Sequence, residues 1–261
     1  MKKILAIVLA LMLVFSLTAC SSKEKTLKDI QKKGSITIAT SPDFPPFEDL
    51  DGTNVIGIDI DVWNAICEKL GIKLEIQQIA FDSIIPGIQA GKIDVGASGI
   101  SITEDRKKNV LFTAPYCMAA QAIVVTTGSP ITCKADLAGK TVSVQSGTTA
   151  ETFCMGEGYT VGSYESNSDA QMALTTGKVD AWVIDDLTAA EMTAIYNAEN
   201  PDAPLVVLSE AMTSEPYAYA LAFGSEPLVE ELDKVIKGLV ADGTIEGIFA
   251  KYGVPYFAPE A

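Results

Sequence analysis

Four short segments of the chain carry the residue types that a small polar ligand would need: "SPDFPPFE" from Ser41, "SGISITEDR" from Ser98, "SGTT" from Ser146 and "DDLT" from Asp185. They offer hydroxyls, glycines and backbone donors, together with one arginine, Arg106, and the acid Asp185. Arg106 is the odd member. Thr103 is a good helix N-cap, and Glu104 and Asp105 suit a first helical turn, so Arg106 falls at the third helical position. A cation beside the positive end of a helix is locally unfavourable, and the local pattern does not explain it. A solvated surface charge is the plain reading of Arg106, just as a helix cap is the plain reading of "SGTT" or of a strand-end aspartate. Their joint occurrence at comparable places in the chain is harder to attribute to chance.

Those places are set by the elements around them. "SITIAT" (Ser35 to Thr40) reads as a strand and "IDIDVWNAICEKLG" (Ile58 to Gly71) as a helix stopped by glycine. "IKLEIQQI" then reads as a strand and "SIIPGIQAG" as a short helix. The alternation predicts an α/β sheet, and it recurs. "GKIDVGASG" from Gly91 has a counterpart in "GKVDAWVIDD" from Gly177, and "GSITIATSPD" resembles "GKTVSVQSGT". Two α/β lobes of related build are expected, with the chain crossing between them near Gln121 and near Tyr217. The strand "YAYALAF" and the helices "EPLVEELDKVIKGLVADG" and "TIEGIFAKYG" would complete the first lobe. In open α/β sheets, ligands bind beyond the carboxyl ends of strands, and each of the four segments follows a predicted strand.

Lys2 and Lys3 followed by the apolar run Ile4 to Leu17, too short to span a membrane, predict an export signal over residues 1–19. It ends in "LTAC", which resembles a bacterial lipobox with Cys20 as the lipidated residue, and residues 20–33 read as a polar tether. The protein is therefore expected outside the cytoplasmic membrane, anchored by lipid. A net charge of −15 argues against nucleic acid as a partner. With no histidine and no CxxC spacing, no metal site is expected. Cys67 sits in a helical pattern and reads as core, whereas Cys133 and Cys154 are candidates for a disulfide.

"GIDIDVWNAICEKL", "SPDFPPFE", "IIPGIQAGKIDV", "SGISITEDRKKNVLFTAPY" and "VQSGTTAETF" together resemble, in order, segments of the extracytoplasmic solute-binding proteins of polar amino-acid ABC transporters. The resemblance runs from Gly34 to Gly253. It implies a two-lobed periplasmic-binding-protein-like fold of type II, each lobe a mixed sheet flanked by helices, with the ligand cleft between them. Lobe 1 would comprise residues 34–121 and 217–261, and lobe 2 residues 122–216. The resemblance gives Arg106 the ligand's α-carboxylate, with Thr148 and Thr149 gripping the same group from the second lobe. It gives Asp185 the α-ammonium, aided by the Gly99 carbonyl and the Ser101 hydroxyl. Phe44 and Phe81 would sandwich the ligand's side chain. Ser41 stands where several family members carry aspartate, which removes one expected polar partner, and Gln145 could contact a side chain across the cleft.

The implied function is binding of a free L-amino acid, polar or cationic, and its delivery to an ABC permease and ATPase by a monomeric protein without cofactor. An enzyme such as a cyclohexadienyl-type dehydratase is the alternative on this scaffold, and it would have to use Glu48, Glu215, Asp82 or a tyrosine for proton transfer. A sensing partner of a membrane receptor is a further alternative.

Overall fold

The computed structural model describes residues 24–259, so the predicted leader and Cys20 lie outside the described residues; the expected tether is corrected at its end, where Leu27–Lys33 form a helix capped by Thr26 that buries Ile30 in the core. In chain order, β1 (Ser35–Thr40) is followed by a small hairpin of β2 (Asp49–Asp51) and β3 (Asn54–Ile56). β1 then joins β4 (Lys73–Gln78), β5 (Val95–Gly96), β6 (Leu111–Phe112) and β14 (Ala220–Leu221) in a sheet ordered β4-β1-β5-β14-β6. A second sheet, ordered β10-β9-β11-β8-β12, contains β8 (Gln121–Thr126), β9 (Thr141–Gln145), β10 (Thr160–Tyr164), β11 (Ala181–Asp185) and β12 (Leu205–Val207).

The two orders correspond strand for strand. Three parallel neighbours, β4-β1-β5 or β10-β9-β11, are followed by two antiparallel strands in each sheet. The sequence resemblances between the β1 and β9 segments and between the β5 and β11 segments thus mark equivalent strands. Between the sheets, β7 (Cys117–Ala119) and β13 (Glu215–Tyr217) pair antiparallel, so the chain crosses twice along two adjacent strands. The expected single strand "YAYALAF" is therefore divided. Tyr217 pairs with Cys117 in the crossing ribbon, whereas Ala220 and Leu221 pair inside the first sheet. A uniformly β-prone run cannot show that it changes partner halfway.

Alternation along the strands sorts the core. On β11, Trp182 and Ile184 join one apolar cluster while Ala181 and Val183 join another on the opposite face. Ile36 and Ile38 of β1 likewise face away from Ala39. Cys67 belongs to the core, as expected. Cys133 and Cys154 are both free, which corrects the disulfide expectation. Cys154 is buried in the second sheet's cluster, and the partly exposed Cys133 thiol lies 3.7 Å from the Asp136 carboxylate.

The helix Ile58–Leu70 buries Ile58, Trp63 and Ile66 and ends at Gly71 in a left-handed cap. Each of those apolar side chains stabilises the packing by about 1.5–3 kcal/mol. Its first N–H groups are satisfied by the loop after β1: Ile58 donates to the Pro46 carbonyl at 2.9 Å and Asp59 to that of Phe47 at 3.0 Å. The helix thereby fixes the loop that carries Ser41 and Phe44. This close approach requires Gly57, whose φ is +135° and where a Cβ would sit 2.1 Å from the Phe47 carbonyl oxygen. Gly57→Ala should destabilise the protein by about 2 kcal/mol or more, read as a lower urea midpoint, whereas an unchanged midpoint would show that this approach is not constrained.

Candidate ligand-binding site

The loop after β1 is tied down at both ends, with the Ser41 N–H donating to Ser98 Oγ at 3.1 Å and Phe44 stacking on Phe47 with centroids 5.6 Å apart. Phe44 lies over Gly99, whose φ is +52° and where a Cβ would come within 2.6 Å of the ring. The Gly99 N–H donates to buried Asp59 at 3.0 Å, which fixes the orientation of the peptide. Two residues on, Ser101 donates to Glu215 of β13 at 2.6 Å. Thr103 caps the helix Glu104–Lys107 as expected, accepting from the Arg106 N–H at 3.1 Å.

Arg106 turns back from this helix into the cleft. Its Nη1 donates to the Ser101 carbonyl at 2.9 Å and its Nη2 to the Gly147 carbonyl at 3.0 Å, so it bridges the loops of the two sheets. Its guanidinium carbon stands 5.4 Å from the centre of the Phe81 ring. Burial pulls its pKa down, and the charges of Glu215 and Asp185 oppose that shift. An arginine stays charged throughout, so the solvated-surface reading gives way to a partly buried cation facing carbonyls and an aromatic face.

From the other sheet, the helix Thr149–Gly156 directs its N-terminus into the same space. The Thr148 hydroxyl is already engaged, accepting from Glu151 at 3.2 Å and donating to the Gln145 carbonyl at 2.7 Å. What this turn offers a ligand is therefore mainly backbone N–H, an arrangement suited to an anion. At Gly147 the two halves nearly touch: a Cβ there would be 2.9 Å from the Asp82 Cβ.

Asp185 ends β11 and is buried. It accepts from Gln121 Nε2 at 2.9 Å, and burial, then the negative charge of Glu215, pushes its carboxyl up to about 7. Its neighbour Asp186 does different work, accepting from the Leu187 N–H at 2.9 Å and the Ala120 N–H at 3.4 Å. The helix Asp186–Glu199 begins at this residue, and the acid satisfies a first-turn donor.

These groups converge on one tightly closed pocket between the two halves. Ser41, Phe44, Phe81, Gly99, Ser101, Arg106, Gln145, Thr148, Thr149 and Asp185 all line it, and Ser98 joins them. Sequence reasoning missed Ser98, which lies in "SGISITEDR" but has no charge to single it out. Two acids stand behind the wall: Asp43, which sequence reasoning did not single out, and Glu48, which it named only as a proton-transfer candidate for the enzyme alternative. Glu48 is fully buried 2.5 Å from Ser98 Oγ, its carboxyl held well above the usual range by burial and by nearby Asp59. Asp43 bonds to Ser41 at 2.9 Å, so the carboxylate thought to be missing at Ser41 stands one layer back.

The model of the bacterial extracellular solute-binding proteins, family 3, matches residues 36–255. The arginine-binding extracellular protein ArtP of Bacillus subtilis (strain 168) is 31% identical over 257 residues, covering 97% of this chain and 98% of that protein. A crystal structure of a mutant of ArgBP from T. maritima superposes with a TM-score of 0.79 at 37% identity, over 87% of this chain and 98% of that one. An ancestral amino acid-binding protein, described as a precursor of cyclohexadienyl dehydratase, gives a TM-score of 0.77 at 32% identity over 87% and 99%. A family match across both lobes, on a chain whose cleft is built as described, shows that this protein belongs to the bacterial extracellular solute-binding proteins, family 3.

Proposed function

We propose that the protein captures a free L-amino acid in this cleft and delivers it to a membrane ABC importer. The observation that carries the reading is a pair of opposite charges in one small cavity. Arg106 is bonded to two carbonyl dipoles that leave its charge uncompensated, and Asp185 is a buried acid strained by Glu215. A zwitterion completes both, its carboxylate on Arg106 and the first turn of Thr149–Gly156, its ammonium on Asp185 with the Gly99 carbonyl and Ser101. Phe44 and Phe81 then flank the side chain. The Bacillus relative is named for arginine, which favours a polar or cationic ligand.

Of the acids expected to serve a dehydratase on this scaffold, Glu48, Glu215 and Asp82 do not line the cavity, and the acid that does, Asp185, is taken up by the ammonium in this reading. Binding rather than turnover is the better-supported reading. The crossing strands β7 and β13 serve as the hinge for opening and closing. Cys20 carries the lipid that holds the monomeric protein at the outer face of the membrane, within reach of the permease and its ATPase.

Arg106→Ala should lower affinity more than about a hundredfold, since removing one partner of a buried ion pair costs about 3–5 kcal/mol. Calorimetry against the amino acid that gives the largest thermal shift checks this, and a loss below about tenfold would return Arg106 to a surface role.

Asp185 makes binding pH-dependent. Burial holds its carboxyl at about 7, and an ammonium beside it favours the ionised form and lowers that value. Affinity is then full above pH 7 and falls by up to about one decade per unit as the pH drops, because binding must expel a proton. Titration near pH 6 in two buffers of different ionisation enthalpy should show proton release that Asp185→Asn abolishes. Release that persists in the variant would assign it to another group, such as Asp59, which stands at about 6.

A further inference from the structure

Asp43 is the acid for which the zwitterion clamp has no use. It sits in the loop after β1, yet most of its partners belong to the opposite half of the molecule. Its Oδ2 accepts from the Asn167 N–H at 2.6 Å and from Gln145 Nε2 at 3.4 Å, while its Oδ1 accepts from Ser41 Oγ at 2.9 Å. The Asn167 side chain closes the loop, donating to the Asp43 carbonyl at 3.3 Å and to Gln145 Oε1 at 3.0 Å. Every group facing the carboxylate is a donor, which suits the ionised form. Burial pushes its carboxyl up and these hydrogen bonds pull it back, with no cation among its influences.

The consequence reaches the cavity through the two wall residues that Asp43 touches. Ser41 gives its hydroxyl hydrogen to Asp43, so it presents lone pairs inward. Gln145 has both amide hydrogens engaged, one by Asp43 and one by the Glu165 carbonyl at 3.2 Å, and its Oε1 accepts from Asn167, so the capacity it has left is the second lone pair of Oε1. That end of the cavity therefore offers acceptors, backed by a negative charge that has no counter-ion among the described residues, and is bordered by Phe44 and Phe81.

We propose that Asp43, without itself lining the cavity, is the residue that selects the ligand's side chain, orienting Ser41 and Gln145 as acceptors across the closed cleft and supplying the charge that favours a guanidinium or alkylammonium. The inference rests on the amino-acid reading of the same site and adds the class of side chain. It also makes closure a condition of selection, because Gln145 and Asn167 reach Asp43 only when the two halves meet.

The test compares L-arginine with L-citrulline, which has the same shape and a neutral ureido group, by calorimetric titration of the wild type and of Asp43→Asn. The wild type should prefer arginine by roughly tenfold or more, and Asp43→Asn should lose most of that preference through weaker arginine binding, with citrulline changed by less than about threefold. The melting temperature of the unliganded variant should stay close to that of the wild type, since asparagine keeps its Oδ1 on the Asn167 N–H and its Nδ2 donates to the Ser41 hydroxyl, which can accept and thereby loses its fixed acceptor orientation toward the cavity. Equal losses for both ligands would make Asp43 a closing contact alone and overturn the selection claim. So would a wild type that binds citrulline as tightly as arginine, or that binds other amino acids and neither of these, although the amino-acid reading would survive both. A wild type that binds no amino acid at all overturns that reading together with this one.

Discussion

A guanidinium held between two carbonyl oxygens from opposite halves of the protein sets the terms for the rest of the molecule. Arg106 reaches from the Ser101 carbonyl to the Gly147 carbonyl, and neither dipole neutralises it. Taking a cation out of water costs several kcal/mol unless an anion repays it, and the nearby acids Asp185 and Glu215 influence it without pairing with it. The cleft is therefore electrostatically incomplete at both ends. On the proposed reading, a ligand that brings its own carboxylate and its own ammonium relieves both ends at once, and a ligand with only one of them does not.

Holding that arrangement requires two rigid halves that present loops toward each other, and the duplicated topology provides them. β1 and β9 occupy equivalent positions, and the loops after them carry Ser41 and Phe44 on one side and Gly147, Thr148 and Thr149 on the other. β5 and β11 are likewise equivalent, followed by Ser98 to Ser101 and by Asp185. The site is thus assembled from the carboxyl ends of matched strands, with a short ribbon of β7 and β13 as the link between halves. Glu215, which sits in that ribbon, touches Ser101 and weighs on Asp185, so the link is electrostatically coupled to the ligand end of the cleft.

Much of this was legible in the sequence because it is written in short-range patterns. The helix from Ile58 follows from apolar spacing and Gly71, the strand at Ser35 from alternation, and the duplicated architecture from two pairs of similar segments. Arg106 was visible as a local misfit, since a cation at a helix start needs a reason from elsewhere. What escaped was long-range. "YAYALAF" divides between two sheets because Tyr217 and Ala220 find different distant partners. Asp43 looks like a turn residue until its bonds to Gln145 and Asn167, more than a hundred positions away, are seen. Cys133 and Cys154 illustrate the converse, since a suggestive pairing on paper is undone by where the fold places each thiol.

The central claim is that the cleft reads the amino-acid head group as a zwitterion, with Arg106 on the carboxylate. Calorimetric titration with L-arginine and with agmatine, the same side chain without the α-carboxylate, addresses it most directly. The account predicts a clear exothermic isotherm for arginine and at least a hundredfold weaker binding for agmatine, roughly the loss of one buried, charge-assisted contact. Comparable affinity for the two would contradict it, because the cleft would then be reading the side chain alone.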